Sequence, residues 1–195
     1  MGNTQQSEPE NWVDEYADDL FRYAMFRLRD PERAEDVVQE TFLAALHARK
    51  QFSGRSSEKT WLTGILKHKI VDQIRKASRE RPLNAVESPM DSPYEDVFDN
   101  EGKWRDGPAD WGADPSKDLE KKEFKKVFER CLADLPPHLG DAFSLRELDG
   151  LSSKEVCKVL DVSATNLWVM LYRARTRLRR CLEMNWFELK KERNP

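Results

Sequence analysis

The side chains best suited to chemistry in this chain lie between Glu58 and Arg79. At 100° per residue along a helix, Trp61, His68, Asp72, Arg75, Lys76 and Arg79 fall on one side, an aromatic plane at the head of a cationic row. Cations attract phosphates, and an exposed aromatic ring can stack an unpaired base for roughly 1–3 kcal/mol. The same pattern also suits a core Trp61 beneath cations that merely keep the helix soluble. A second strip precedes it: Asp36, Gln39, Glu40 and Leu43 share one side of the segment after Asp30. That mixture of polar and apolar groups fits docking on a partner, or equally a solvated helix face. A third group, Thr165, Asn166, Val169, Tyr172, Arg173 and Thr176, faces away from the apolar row of the last strongly periodic segment.

Each group needs a helix to position it. Asp30 suits a cap and Pro31 a first helical position, and Ala34, Val37, Val38, Thr41, Phe42 and Ala45 recur at core spacing. After a Gly- and Ser-containing loop, residues 51–57, a helix is expected over 58–78, with Leu62, Leu66, Ile70 and Ile74 buried and Ile65 widening the row. Further on, Phe124, Val127, Phe128, Cys131, Leu132 and Leu135 predict a helix over 119–135, stopped by Pro136-Pro137. Another is expected over 139–148, before Gly150. Ser152 followed by Glu155, with Leu151 and Val156 flanking, is a capping box with a hydrophobic staple. Asp161-Val162-Ser163 then makes a turn, and the helix over 164–182 buries Leu167, Leu171, Ala174, Leu178 and Leu182. A short helix, a tight turn and a longer helix with polar residues at its front can lay a recognition helix in the major groove. Generic helical hairpins share that outline.

Between these blocks, residues 82–117 are rich in Pro, Gly, Ser and Asp and read as a linker. Nine carboxylates stand there against three cations, a net charge of −6. Tyr94, Phe98, Trp104 and Trp111 are more aromatic than a plain tether requires. The whole chain of 195 residues carries a formal net charge of −3, unlike a free-standing DNA binder, whose affinity depends largely on phosphate neutralisation. Its cations are concentrated instead in 61–79 and 173–180, which suggests good DNA binding only when the chain is held on another protein.

Cys131, Cys157 and Cys181 show no CxxC spacing, and Cys131 and Cys157 lie on or near apolar faces; reduced structural thiols are expected. His47, His68 and His138 have no ExxH partner, which argues against a di-iron bundle and gives no metal site. No Walker loop, dinucleotide fingerprint or nucleophile elbow occurs, so no cofactor is expected. Without a signal peptide or a membrane-length apolar run, the expectation is a cytoplasmic chain with no membrane insertion.

DPERAEDVVQETFLAAL followed by TWLTGILKHKIVDQIRK resembles the second conserved region of bacterial sigma factors, in particular the small extracytoplasmic-function group. LSSKEVCKVLDVSATNLWVMLYRARTRLRRCL resembles the fourth conserved region of the same group. The resemblance implies an all-α fold of two small helical domains, a region 2-like bundle and a region 4-like helix-turn-helix, joined by the acidic linker. The implied boundaries are a tail at 1–10, domains at 11–81 and 118–187, the linker at 82–117 and a second tail at 188–195. It further implies that Asp36, Gln39, Glu40 and Leu43 grip the coiled coil of the largest polymerase subunit. A base-capturing loop would span 52–60 and a promoter-reading helix 61–79, so that Trp61, Lys67, His68, Asp72, Arg75, Lys76 and Arg79 would meet the downstream promoter element. Thr165, Asn166, Trp168, Val169, Tyr172 and Arg173 would meet the upstream one. His68 stands where many members have Asn, and Trp168 and Met170 where relatives often carry Lys and Arg.

The resemblance therefore implies a transcription initiation factor, itself no enzyme, whose expected partners are core RNA polymerase (coiled coil and flap), promoter DNA and an anti-sigma factor. A stress or envelope-response regulon is the expected target. A stand-alone helix-turn-helix regulator and a helical adaptor that binds only proteins are the alternatives.

Overall fold

Every element the structure describes is a helix or a short 3₁₀ or π turn continuing one, in accord with the expected all-α class. The structure is a computed structural model that describes Pro9, residues 11–80 and residues 122–187. The expected linker, the second tail, and the first tail apart from Pro9 lie outside the described residues. The chain divides after Glu80 into two compact units.

The first unit packs three helices against one another, α1 (Asn11–Leu28), α2 (Pro31–Ala48) and α3 (Glu58–Glu80). The sequence pattern gave no separate signal for α1 because only Trp12, Leu20, Ala24, Arg27 and Leu28 are buried along its 18 residues. Arg29 ends it in the left-handed region, φ 57°, and Asp30 starts α2 at once, its carboxylate accepting the Arg33 N–H at 3.2 Å. An N-cap of this kind contributes about 1 kcal/mol. The expected core row of α2 is buried except Phe42, which is half-buried. Thr41, fully buried, donates its hydroxyl to the Val37 carbonyl at 2.6 Å, which satisfies a polar atom that burial would otherwise penalise. Leu62, Leu66, Ile70 and Ile74 are buried as the pattern of α3 requires, and truncating any of them to Ala would cost about 2–5 kcal/mol.

The second unit contains α4 (Lys122–Ala133), α5 (Pro137–Phe143), α6 (Ser153–Leu160) and α7 (Ala164–Leu182), with α4, α5 and α6 all packed on α7. The helix expected over 139–148 starts two residues earlier, where Pro137 fits the first turn, and finishes as a π turn, Ser144–Leu148. The capping box is formed: Ser152 N–H donates to the Glu155 carboxylate at 2.8 Å, and Glu155 N–H donates to Ser152 Oγ at 3.3 Å. Asp161 closes α6 at φ 56°, a left-handed position that Asp tolerates better than most residues, and Ser163 caps α7 by accepting the Asn166 N–H. The buried row of α7 is the expected one with Met170 added.

The expectation of three reduced thiols is corrected. Cys131 on α4 and Cys181 on α7 form a disulfide with a Cα separation of 5.7 Å, and Cys157 is free. Their 50-residue separation carries no signal in sequence, because the pairing depends on how two distant apolar faces pack.

Candidate docking and nucleic-acid interfaces

On α2, Asp36, Gln39, Glu40 and Leu43 are all exposed, so the structure brings this expected strip together on the surface. Leu43 is 58% exposed and Leu46, one turn beyond it, 49%. Leu46 escaped the sequence reading, although its i+3 spacing from Leu43 was a usable signal. Glu40 differs from its neighbours, since Lys69 Nζ of α3 lies 3.0 Å from its carboxylate.

The start of α3 is set by Ser57, whose Oγ accepts the Thr60 N–H at 3.2 Å, and by an ion pair between Lys59 and Asp19 of α1. Lys59 and Arg22 together hold the Asp19 carboxyl below its ordinary value. Trp61 is half-buried: its ring lies 4.8 Å from Phe52 and edge-on to buried Trp12 at 5.8 Å. Trp61 is therefore neither a fully buried core residue nor a fully exposed one: its contact with Trp12 ties it to the core, and it also packs on Phe52. His68, Asp72, Lys76 and Arg79 are exposed and Arg75 half-buried along the same side. Arg75 is paired with Asp72 at 2.9 Å, which partly neutralises the middle of the row. Lys67 is exposed but sits about 120° round the helix from that row, so it is not part of it.

On α7 the outward residues divide into two groups. Thr165, Trp168, Val169, Tyr172 and Thr176 lie within about 60° of a common line, whereas Asn166 and Arg173 stand about 90° to one side. Trp168 is 51% exposed and stacks on Tyr172, centroids 5.9 Å apart and planes 15° apart. Met170 is buried and offers nothing to a ligand. Arg175 is drawn aside by an ion pair with Glu147 of the π turn at 2.5 Å, and Arg179 by Glu183 at 3.6 Å. Among the described residues there is no cluster of metal-ligating side chains, and no helix is long and apolar enough to cross a membrane.

The second unit has the short helix, tight turn and longer helix of a helix-turn-helix, and the first unit carries a helix with a cationic row; the class these features suit is a nucleic-acid-binding protein. Comparison with known proteins specifies which. The family description sigma-70 region 2 matches residues 12–80, and sigma-70, region 4 matches residues 125–178. The chain is 33% identical over 165 residues to a probable RNA polymerase sigma factor of Haemophilus influenzae, spanning 84% of each. It is 27% identical to the ECF RNA polymerase sigma factor SigM of Bacillus subtilis, over 84% of this chain and 88% of that one. Among solved structures, the sigma factor RpoE in complex with the anti-sigma factor NepR from Bartonella quintana is similar at 24% identity and a TM-score of 0.40, covering 90% of this chain and 97% of that one. The chain belongs to the sigma-70 family, in its extracytoplasmic-function group. It is a sigma factor: it binds core RNA polymerase and directs promoter-specific initiation of transcription.

Proposed function

We propose that the division of labour follows the three exposed faces. Asp36, Gln39 and Leu43, extended by Leu46, dock on the coiled coil of the largest polymerase subunit, with Glu40 acting chiefly through Lys69. The observation that carries this is the exposure of Leu43 and Leu46 in a unit that otherwise buries its leucines. The Phe52–Trp61 surface and the row His68, Asp72, Arg75, Lys76 and Arg79 meet the downstream element as it opens, with Lys67 reaching phosphate from the flank. Thr165, Trp168, Val169 and Tyr172 face the upstream element, with Asn166 and Arg173 on the shoulder.

The functional units then correspond to residues 11–81 and 118–187, and residues 82–117 thread the polymerase cleft, where their carboxylates meet basic channel walls. The flap of polymerase receives the second unit. An anti-sigma factor is the expected regulator, and the chain works in the cytoplasm without catalysing a reaction of its own. Runoff transcription tests the reading: core polymerase should yield promoter-specific transcript with the wild-type chain and lose it with Leu43→Asp plus Leu46→Asp. Full transcript from that folded double variant would remove the α2 face from the docking surface.

A further inference from the structure

The cysteine pair of the second unit lies outside the residues proposed above for docking and base reading. Cys131 is 1% exposed on α4, and Cys181 is part-exposed near the end of α7. Other contacts beside the sulfurs tie α4 to the π turn that follows α7, Glu183–Phe187. Phe124 meets Trp186 edge-on at 5.4 Å, and the Arg130 guanidinium donates to the Asn185 side-chain carbonyl. The sulfurs are therefore neighbours whether or not they are bonded, and the 5.7 Å Cα separation is one that a disulfide spans without backbone movement. Transcription takes place where cellular reductants keep most thiols reduced, and a disulfide in that setting is characteristically transient and redox-sensing.

We propose that Cys131 and Cys181 form a dithiol site oxidised by hydroperoxides, and that the resulting bond staples the promoter-reading unit. Cys181 is the attacking group. It is the less buried residue of the pair, and Asn185 Nδ2 donates to Sγ at 3.5 Å and to the Cys181 carbonyl at 2.8 Å, an amide itself oriented by Arg130. A donor aimed at sulfur favours the thiolate, which is the reactive form. With hydrogen peroxide as oxidant, the Cys181 thiolate attacks one peroxide oxygen and the O–O bond breaks, leaving a sulfenic acid and a hydroxide, which takes up the proton released on ionisation of the thiol and becomes water (an alkyl hydroperoxide gives its alcohol instead). The Cys131 sulfur then attacks the Cys181 sulfur, the S–O bond breaks, and the Cys131 proton leaves with that oxygen as a second water. Two thiols are oxidised by two electrons and one peroxide is reduced; exchange with two molecules of a cellular thiol reverses the step.

The closed loop contains α5, α6 and most of α7, so the bond restricts the unfolded state of the whole helix-turn-helix. Oxidation should raise the melting temperature of this unit by about 8 °C or more.

The test uses the full chain, reduced, freed of reductant and treated with hydrogen peroxide in the absence of polymerase, so its outcome is independent of the docking assignment. Peptide mapping should find Cys131 linked to Cys181 and Cys157 still open to alkylation, with the thermal shift reversed by dithiothreitol. Cys131→Ser, or Cys131→Ala where a buried hydroxyl proves disruptive, should accumulate a dimedone-reactive sulfenic acid at Cys181. Asn185→Ala should slow bond formation about tenfold, one hydrogen bond's worth of activation, without altering the product. Bonds formed through Cys157 or between chains, or an unchanged dithiol after peroxide treatment, would overturn the proposal. Dimedone labelling of Cys131 in the Cys181→Ser chain at the rate seen for Cys181 would overturn the order of attack.

Discussion

Lys69 of α3 holds the carboxylate of Glu40 on α2 at 3.0 Å, which separates Glu40 from the three residues that share its strip. Asp36, Gln39 and Leu43 extend into solvent, whereas part of the Glu40 charge is already balanced within the unit. A strip that looks uniform on a helical wheel is therefore graded in what it can give to a partner.

Leu43→Asp should weaken binding to core polymerase at least about tenfold, because the substitution both removes an apolar contact and brings an unpaired carboxylate into the proposed docking face. Glu40→Gln should change binding by less than about threefold, within the range of a surface pair. Both variants should melt within a few degrees of wild type, since neither side chain contributes to the core. Surface-plasmon titration with core enzyme, alongside thermal melting, separates the two outcomes; equal losses for Leu43→Asp and Glu40→Gln would contradict the grading.

The pair between Asp72 and Arg75 gives a prediction of opposite sign. Asp72→Asn removes a negative charge from the cationic row and releases the guanidinium at 2.9 Å, so holoenzyme should hold open promoter DNA more tightly and with a steeper dependence on salt. Arg75→Ala with Lys76→Ala should do the reverse, reducing permanganate reactivity of the melted bases while polymerase stays bound. Unchanged melting in both variants would mean that this face only solvates α3.

Tyr16 of α1 provides a pH signature for the first unit. Burial raises its phenol to about 12, helped by hydrogen bonds to Glu15 and Glu58 and by their charges. Its folded value exceeds the unfolded 10, so its stabilising effect is complete below pH 10 and is lost as pH rises through about 12. Asp19 works in the other direction: its folded value is depressed, so its contribution is present above the unfolded 3.8 and lost as pH falls further. Absorbance titration at 295 nm should show a tyrosine component near 12 that disappears in Tyr16→Phe. A Tyr16→Phe curve superimposable on wild type would refute it.

Much of this architecture was legible because the signals were local. The α2 cap at Asp30, the capping box at Ser152 and the four-residue spacing from Leu62 to Ile74 each lie within a single element, and each formed as expected. What escaped the sequence depended on packing between elements. Trp61 lay on the polar side of its own wheel, yet Trp12 of α1, a helix with sparse apolar spacing, anchors one edge of it. Arg75 counted as a cation until its rotamer placed it on Asp72, and Cys131 and Cys181 read as separate thiols because 50 residues part them along the chain.

Trp168 makes the sharpest prediction about sequence preference. Its ring and that of Tyr172 form a continuous stacked surface at the front of α7, on the same line as Thr165 and Val169, so the centre of the proposed reading face is largely apolar. In the major groove an apolar side chain distinguishes thymine by its methyl group, whereas a side-chain amide, the kind Asn166 carries, suits adenine through paired hydrogen bonds. A Trp168→Lys chain should lose preference for thymine at an upstream position and gain general, salt-sensitive affinity from the added charge. Asn166→Ala should relax preference at one or two neighbouring bases, because a well-made base contact discriminates by about 1–3 kcal/mol. Arg175→Ala, whose guanidinium is already held by Glu147, should leave preference unchanged. Selection from a randomised upstream promoter library reads all three at once. Retention of the wild-type upstream sequence by both Trp168→Lys and Asn166→Ala would mean that the front of α7 is not the reading surface.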